Sequence, residues 1–278
     1  MKNNQKKKSL WHEKDNAEAY HRYTKKFPMY HNESKELVDL ADIRKGMTIL
    51  DLACGTGVST KEILKKLGET GKIYAVDFSE AMLNLAKKEI KNKNVVFIKS
   101  LAQKIDEVIS EKVDRIICNG AFWLINKPET LKAMANILKD DGKLVFNMPG
   151  QIFKFDEKNK QKLILSSLSQ IMTEIAVKKY GLDFNKFSNK LTRASHDFSS
   201  FKKSIKDFFV IESFKISEHK RSMGEIYEFQ KIPVITRRFS EQLGYEKSIE
   251  LLNKAYALID KKKNHNDKWI HFVATKNK

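Results

Sequence analysis

An α/β fold built around a mostly parallel sheet with a nucleotide-type cofactor site is predicted by three observations. An apolar run, Ile49-Leu50-Asp51-Leu52-Ala53-Cys54-Gly55-Thr56-Gly57, ends in a carboxylate followed by a glycine-containing turn. A helical pattern opens directly after that turn. A second apolar strand then ends in an acid, Asp77, 26 residues past Asp51.

Each element has its reason in the residues. The segment 10–42 carries Trp11, Tyr20, Tyr23, Phe27 and Tyr30 ahead of a helix over Lys35 to Ala41. Residues 48–52 read as a buried parallel strand, and Gly55 and Gly57 let the backbone turn sharply against a ligand with no Cβ in the way. Val58, Ile63, Leu64 and Leu67 define a helix whose cap is expected at Gly68, so its first amides face the ligand. Lys72 to Val76 forms the second strand. Asp77 at its end is placed to accept hydrogen bonds from both hydroxyls of a ribose, while Ser79 suits the N-cap of the next helix. Asn94 to Ile98 and Val113 to Cys118 are the third and fourth strands, and Leu138 to Phe146, with a turn at Gly142, leads into the fifth. Leu163, Ile164, Leu168, Ile171, Ile175 and Ala176 give a helical pattern within 150–208, followed by a loop around Gly181 to Asn189. A strand over Phe208 to Ile216, helices within 224–262 and a closing strand over Lys268 to Ala274 complete the chain.

The turn reads Ala-Cys-Gly-Thr-Gly rather than Gly-x-Gly-x-x-Gly, so the spacing that suits a dinucleotide pyrophosphate is missing. With its D-x-A-C-G-T-G turn, the chain resembles the class I S-adenosylmethionine-dependent methyltransferases, in particular small-molecule enzymes of the methyltransferase type 11 and type 25 kind. The resemblance spans about Tyr20 to Gly150. It implies a Rossmann-like, seven-stranded, mostly parallel sheet in the order 3-2-1-4-5-7-6, with strand 7 antiparallel, helices on both faces and a helical cap. It also implies S-adenosyl-L-methionine as cofactor. Asp51, Ala53, Gly55 and Gly57 match the motif that holds the methionine portion. Asp77 matches the ribose acid, and Phe78 and Met82 match the apolar positions around the adenine. Ser100 and Leu101 fall where the family binds the adenine amine, with serine in place of the usual acid or polar group. Asn119 and Ala121 belong to the motif beside the methyl group, and Tyr20 matches a tyrosine that reaches the cofactor.

The fourth motif also excludes. It reads Asn-Gly-Ala-Phe, without the Asn/Asp-Pro-Pro-Tyr/Phe tetrad of enzymes acting on adenine amines or glutamine amides. Cys118 lacks the preceding proline of a cytosine C5 nucleophile and reads as a small buried hydrophobe. The net charge of +18 points toward polyanions, but lysine accounts for 46 of the 53 basic residues. Arginine is the side chain preferred for forked contacts to phosphates and base edges. The acceptor is therefore expected to be a small molecule. A tRNA, rRNA or protein methyltransferase on the same fold is the first alternative, and a non-catalytic cofactor-binding protein the second.

Two cysteines, Cys54 and Cys118, suggest neither a metal site nor a disulfide framework. With no signal-like or membrane-spanning apolar run, a cytoplasmic protein is expected. Residues 1–9 read as a disordered lysine-rich tail and 10–278 as one methyltransferase domain. Its core comprises 35–150, 208–217 and 267–276, and its cap segments 10–34, 151–207 and 222–262. The cap is expected to lie over the carboxyl edge of the sheet and keep water from the reaction. His21, Phe122 and Trp123 are candidates for the substrate pocket. His21, His31 and His196 are candidate bases, and no side chain is marked as catalytic.

Overall fold

The computed structural model describes residues 10–150, 153–154, 167–183 and 196–277. Helices α1 (Lys14–Lys26) and α2 (Met29–Leu40) precede β1 (Thr48–Leu52), α3 (Val58–Leu67), β2 (Lys72–Asp77), α4 (Glu80–Glu89) and β3 (Val95–Lys99). There follow α5 (Ile105–Val108), β4 (Val113–Cys118), α6 (Phe122–Ile125), α7 (Pro128–Ile137) and β5 (Leu138–Pro149). A short parallel pair, β6 (Phe153–Lys154) and β7 (His196–Asp197), flanks α8 (Ser167–Tyr180) in sequence. The chain ends with α9 (Phe198–Ile205), β8 (Phe209–Ser222), α10 (Met223–Gln230), α11 (Pro233–Leu243), α12 (Tyr245–Leu258) and β9 (Asn264–Lys276).

The main sheet has seven strands in the order β3-β2-β1-β4-β5-β9-β8. Strands β1 to β5 pair in parallel, and β9 runs antiparallel to both β5 and β8. This is the expected order, with β8 and β9 as its sixth and seventh strands. Alternation along the central strands fills two cores. Leu50, Leu52, Ile116, Cys118, Leu144 and Phe146 face one side with α7 and α9. Ile49, Ile73, Ile117 and Val145 face the other with Leu37 and Val38 of α2 and Ile63 and Leu67 of α3. A separate apolar cluster joins α8, α10, α11 and α12 through Leu168, Met172, Met223, Ile226, Phe239 and Leu251.

Three elements differ from expectation. The helix before β1 begins at Met29, directly after Pro28, because Met29, Tyr30, Leu37 and Val38 share its buried face with two polar residues, Glu33 and Ser34. The segment before it forms a helix of its own, α1. The last two strands run on as a ribbon to Ser222 and from Asn264, past the expected ends at Ile216 and Lys268. Cross-strand partners of opposite charge support that extension, with Lys268 Nζ 2.9 Å from Glu218 Oε1. Leu163, Ile164 and the loop beyond Asp183 to Asn189 lie outside the described residues. Among the described residues, no helix is long and apolar enough to cross a membrane.

Candidate functional site

The glycine turn after β1 is built from left-handed backbone. Ala53, Gly55 and Gly57 have φ of 57°, 54° and 86°. For alanine this conformation costs roughly 1–2 kcal/mol, and such strain gathers at ligand-binding turns. Two backbone bonds hold it: the Cys54 amide donates to Val76 O at 3.0 Å and the Gly57 amide to Cys54 O at 2.9 Å. A Cβ on Gly57 would stand 2.6 Å from the terminal Cδ1 of Ile90, which would have to turn aside, so the firm requirement for glycine there is φ. At Gly55 the requirement is φ alone, since a Cβ would make only an ordinary 3.7 Å contact with Tyr20 Cε1.

Asp77 joins this turn to the next helix. Its Oδ2 accepts the Gly55 amide at 2.9 Å and its Oδ1 the Ser79 amide at 2.8 Å. The carboxylate is 7% exposed, and burial pushes it above its ordinary pKa against the pull of those amides. Each oxygen keeps a lone pair for a further donor. Ser79 caps α4 as expected, its Oγ accepting the Met82 amide at 3.3 Å. Met82 is buried and Phe78 half-buried. The Ser100 amide donates to Asp77 O at 3.1 Å, its hydroxyl donates to Leu101 O at 3.2 Å, and Leu101 is exposed.

Asp51, beneath the turn, accepts from Thr60 Oγ1 at 2.5 Å. Burial drives its carboxyl up to about 7, more than the Thr60 bond can offset. The folded protein therefore binds this proton more tightly than the unfolded chain. The group's stabilising contribution is full below the ordinary carboxylate pKa and is lost as pH rises toward 7. Urea titrations of the ligand-free protein at about pH 5 and pH 8 are expected to show that loss, and Asp51→Asn to flatten it. Parallel pH profiles for the two proteins would refute the account.

On the far side of β1, the turn after β4 holds Asn119, Gly120 and Ala121. Gly120 has φ of 67°, and a Cβ there would lie 3.0 Å from Tyr30 Cε1 and 3.8 Å from Trp269 Cη2. Tyr20 reaches over the first turn, its ring 5.2 Å from Tyr30 and 5.7 Å from Trp11. Aromatic rings therefore bridge the two turns, with Trp123 6.4 Å from Trp269 at the outer end.

Other candidates fall elsewhere. Phe122 is fully buried and stacked on Phe146 at 3.7 Å, which corrects its placement in a pocket wall: the first turn of α6 directs it into the sheet core. The Nε2 of His21 lies 3.3 Å from Glu89 Oε1 at the seam of α1 and α4, where Lys25 and Lys61 also converge on that carboxylate. The ring is thus engaged in a helix seam rather than beside the turn after β4. His31 Nε2 contacts Thr24 O at 3.1 Å, and the side chain of His196 lies outside the described residues. Tyr23 and Phe27 pack at 5.2 Å as expected for neighbours one helical turn apart. Cys118 is a buried core thiol, pushed well up by burial.

Sequence reading missed Glu33, Asn147, His219 and His271, which meet behind the second turn. The signal was present: Glu33 falls in the apolar stripe of α2, Asn147 in Leu144-Val145-Phe146-Asn147-Met148, and His271 in Trp269-Ile270-His271-Phe272. A polar residue at a core position marks a buried hydrogen-bond network.

Two turns at the carboxyl edge, one strained and rich in glycine and the other beside it across β1, with an acid closing β2, define an α/β protein of the nucleotide-cofactor class. Residues 43–182 match the family model of a methyltransferase domain, and the chain belongs to that family. Among curated proteins it is 34% identical over 109 residues to a probable cobalt-precorrin-6B C(15)-methyltransferase (decarboxylating) of Saccharolobus solfataricus, covering 38% of this chain and 54% of that one. It is 32% identical over 112 residues to the ubiquinone/menaquinone biosynthesis C-methyltransferase UbiE of Escherichia fergusonii, covering 39% and 45%. The chain thus spans about half the length of these curated relatives. Solved structures share the fold at 15% identity. A protein of Bacillus halodurans with a provisional methyltransferase assignment superposes with a TM-score of 0.55 over 89% of this chain and all of its own. Phosphoethanolamine N-methyltransferase 2 of Haemonchus contortus, solved with phosphomonomethylethanolamine and S-adenosylhomocysteine, gives 0.50 over 89% and 53%.

Proposed function

We propose that this protein transfers a methyl group from S-adenosylmethionine to an oxygen, nitrogen or carbon of a small-molecule acceptor by direct displacement. The observation that carries the reading is the Asp77 carboxylate. It is nearly buried, braced by the Gly55 and Ser79 amides, and stands at the end of β2 beside a left-handed glycine turn. The residues fit the cofactor. Asp77 offers two acceptor lone pairs to a ribose, the turn brings bare backbone to the ligand, and the buried Thr56 hydroxyl has no partner within the protein. Phe78 and Met82 would flank the base, with the Ser100 hydroxyl free to accept from its amine.

When bound, the cofactor would supply an electrophilic methyl: the acceptor's electron pair would form the new bond to carbon, and the pair of the broken carbon–sulfur bond would stay on sulfur. The chain's part is alignment and exclusion of water. Asn119, Gly120 and Ala121 line the methyl side, and Tyr20 and Trp123, backed by the buried Tyr30 and Trp269, give that side an aromatic surface. Such a surface suits an apolar or planar acceptor and favours a cationic centre over its ring faces. Both curated relatives are named as C-methyltransferases, which favours carbon among the three acceptor atoms. The two buried free cysteines suit a reducing compartment, and we place the protein in the cytoplasm.

Calorimetric titration with S-adenosylhomocysteine, with NAD as control, tests the cofactor reading. One-to-one binding with a dissociation constant on the order of micromolar is expected for the first and none for the second. A folded protein that ignores S-adenosylhomocysteine would overturn the reading. Incorporation of labelled methyl across a panel of small molecules then identifies the acceptor, and labelling confined to RNA or protein would replace the small-molecule assignment.

A further inference from the structure

Three elements bury a polar side chain where their pattern is otherwise apolar, and the three meet. Glu33 of α2, Asn147 of β5 and His271 of β9 are each 0% exposed. Around the Glu33 carboxylate, His271 Nε2 lies 2.8 Å from Oε2, and Asn147 Nδ2 donates to the same oxygen at 3.1 Å. Ser217 Oγ donates to Oε1 at 3.4 Å, and His219 Nε2 contacts that oxygen from the exposed side. Asn147 and Ser217 therefore hydrogen-bond the carboxylate, while the two histidines stand against it at ion-pair distance, the His271 ring nitrogens making no well-aligned hydrogen bond. The described residues include no group of three or more His, Cys, Asp or Glu arranged to hold a metal ion.

From Glu33 the bonds lead to the turn after β4. Asn147 Oδ1 accepts the Gly120 amide at 2.7 Å, and its Nδ2 also donates to Asn119 Oδ1 at 2.9 Å. Asn119 Nδ2 donates to Ser34 Oγ at 2.7 Å and to Tyr30 O at 3.2 Å. Ser34 in turn lies 3.0 Å from Ser59 Oγ of α3. Neighbouring residues of α2 thus grip the turn twice, Ser34 directly and Glu33 through Asn147. Gly120 is left-handed, and a Cβ there would meet the Tyr30 ring at 3.0 Å, so the turn runs close to α2.

We infer that Glu33 is a positioning residue: it orients Asn147, which sets the Asn119–Gly120 turn beside the reacting methyl. The location of the methyl rests on the methyltransferase reading above, whereas the relay from Glu33 to Gly120 does not. Because Glu33 does not touch Gly120, the two can be probed separately. In Glu33→Gln, the amide oxygen can face Asn147 and His271 while its NH2 faces Ser217 and His219, whose ring accepts in its other tautomer. That variant preserves the relay, and Glu33→Ala removes it.

Two measurements test this. Hydrogen exchange of the Gly120 amide is expected to quicken about tenfold or more in Glu33→Ala relative to the β4 amides of Ile116 and Ile117, and to stay within about threefold in Glu33→Gln. The ratio of S-adenosylmethionine to S-adenosylhomocysteine affinity is expected to shift about fivefold or more in Glu33→Ala and to recover in Glu33→Gln, because the two ligands differ only in the methyl and its charge. General loosening lowers both affinities alike. If Glu33→Ala does not fold, Asn147→Ala cuts the same relay one link later and carries the same expected shift in ratio. Exchange that rises equally at Gly120, Ile116 and Ile117, or a ratio that does not move, would overturn the positioning role. Wild-type protein that binds neither ligand overturns the methyltransferase reading instead, and the Gly120 exchange then decides the relay alone.

Discussion

Asp77→Ala is expected to weaken S-adenosylhomocysteine binding by about 100-fold or more while the protein stays folded. Two ribose hydroxyls donating to a carboxylate make two charge-assisted hydrogen bonds, each contributing about 1.5–3 kcal/mol. Their combined loss corresponds to about two to four orders of magnitude in affinity. The effect on stability has two opposing parts. Removing the side chain leaves the Gly55 and Ser79 amides without their acceptor, but it also removes a carboxylate whose burial disfavours its charge. These offset one another, so the melting temperature should fall by only a few degrees, on the order of 1 kcal/mol for a chain of this size. Calorimetric titration and thermal unfolding on the same sample separate the two effects. Affinity within about tenfold of wild type would remove Asp77 from the ribose site, because no single remaining contact could replace two bonds to a charged acceptor. Asp77→Asn, which keeps one acceptor oxygen, should fall between the two.

The strands, the glycine turn and the acid on which the cofactor reading rests were legible in the chain because their signals are local. Asp51 to Gly57 and Lys72 to Ser79 each compress a strand, a turn and a cap into a few residues, and the φ values of Gly55 and Gly57 match what glycine is used for in such a turn. Sheet order followed from the family resemblance. The methyl side was only half legible. Asn119 and Gly120 stand in the fourth motif, but what holds them comes from α2, β5, β8 and β9, with 184 residues of sequence between the partners in the bond from Ser217 to Glu33 alone. Local periodicity reports that Glu33 or His271 stands at a core position without reporting its partner. Phe122 failed for the opposite reason. Its place in the motif pointed to the pocket, but after the turn at Gly120 the first residue of α6 is aimed at the sheet, where Phe146 and Phe201 receive it.

Arg221→Met should produce a large loss of stability. Arg221 is 6% exposed, and its guanidinium ties four elements together. Its Nε donates to Glu225 Oε1 of α10 at 3.0 Å, Nη1 to Asp267 Oδ2 of β9 at 2.7 Å and Nη2 to the Tyr23 hydroxyl of α1 at 3.0 Å. Tyr23 donates its own proton to Glu225 Oε1 at 2.8 Å. The Phe229 ring centroid lies 5.0 Å from the guanidinium carbon. Burial opposes the arginine charge, but Tyr23 and the carboxylates of Asp267 and Glu225 more than restore it, and its pKa stands above the ordinary arginine value. Methionine keeps much of the aliphatic volume and removes the charge, leaving two carboxylates in a largely buried site. Breaking one side of such a buried cluster costs about 3–5 kcal/mol. At about 2–4 °C per kcal/mol for a chain of this size, the midpoint should fall by roughly 6–20 °C. The cost lies in carboxylates that lose their arginine, Glu225 keeping only the Tyr23 hydroxyl and Asp267 only His265 among the described residues, and not in the lost volume. Adding Glu225→Leu, Asp267→Leu and Tyr23→Phe to Arg221→Met should therefore recover most of the stability, since a fully apolar replacement of a buried ion cluster is often neutral. A loss below about 1 kcal/mol in Arg221→Met, the range of exposed ion pairs, would show that water reaches the cluster. In that case α1 is not held against α10 and the β8–β9 ribbon by this arginine, and the aromatic contacts of Tyr23 with Phe27, Tyr30 and Phe229 must secure it instead.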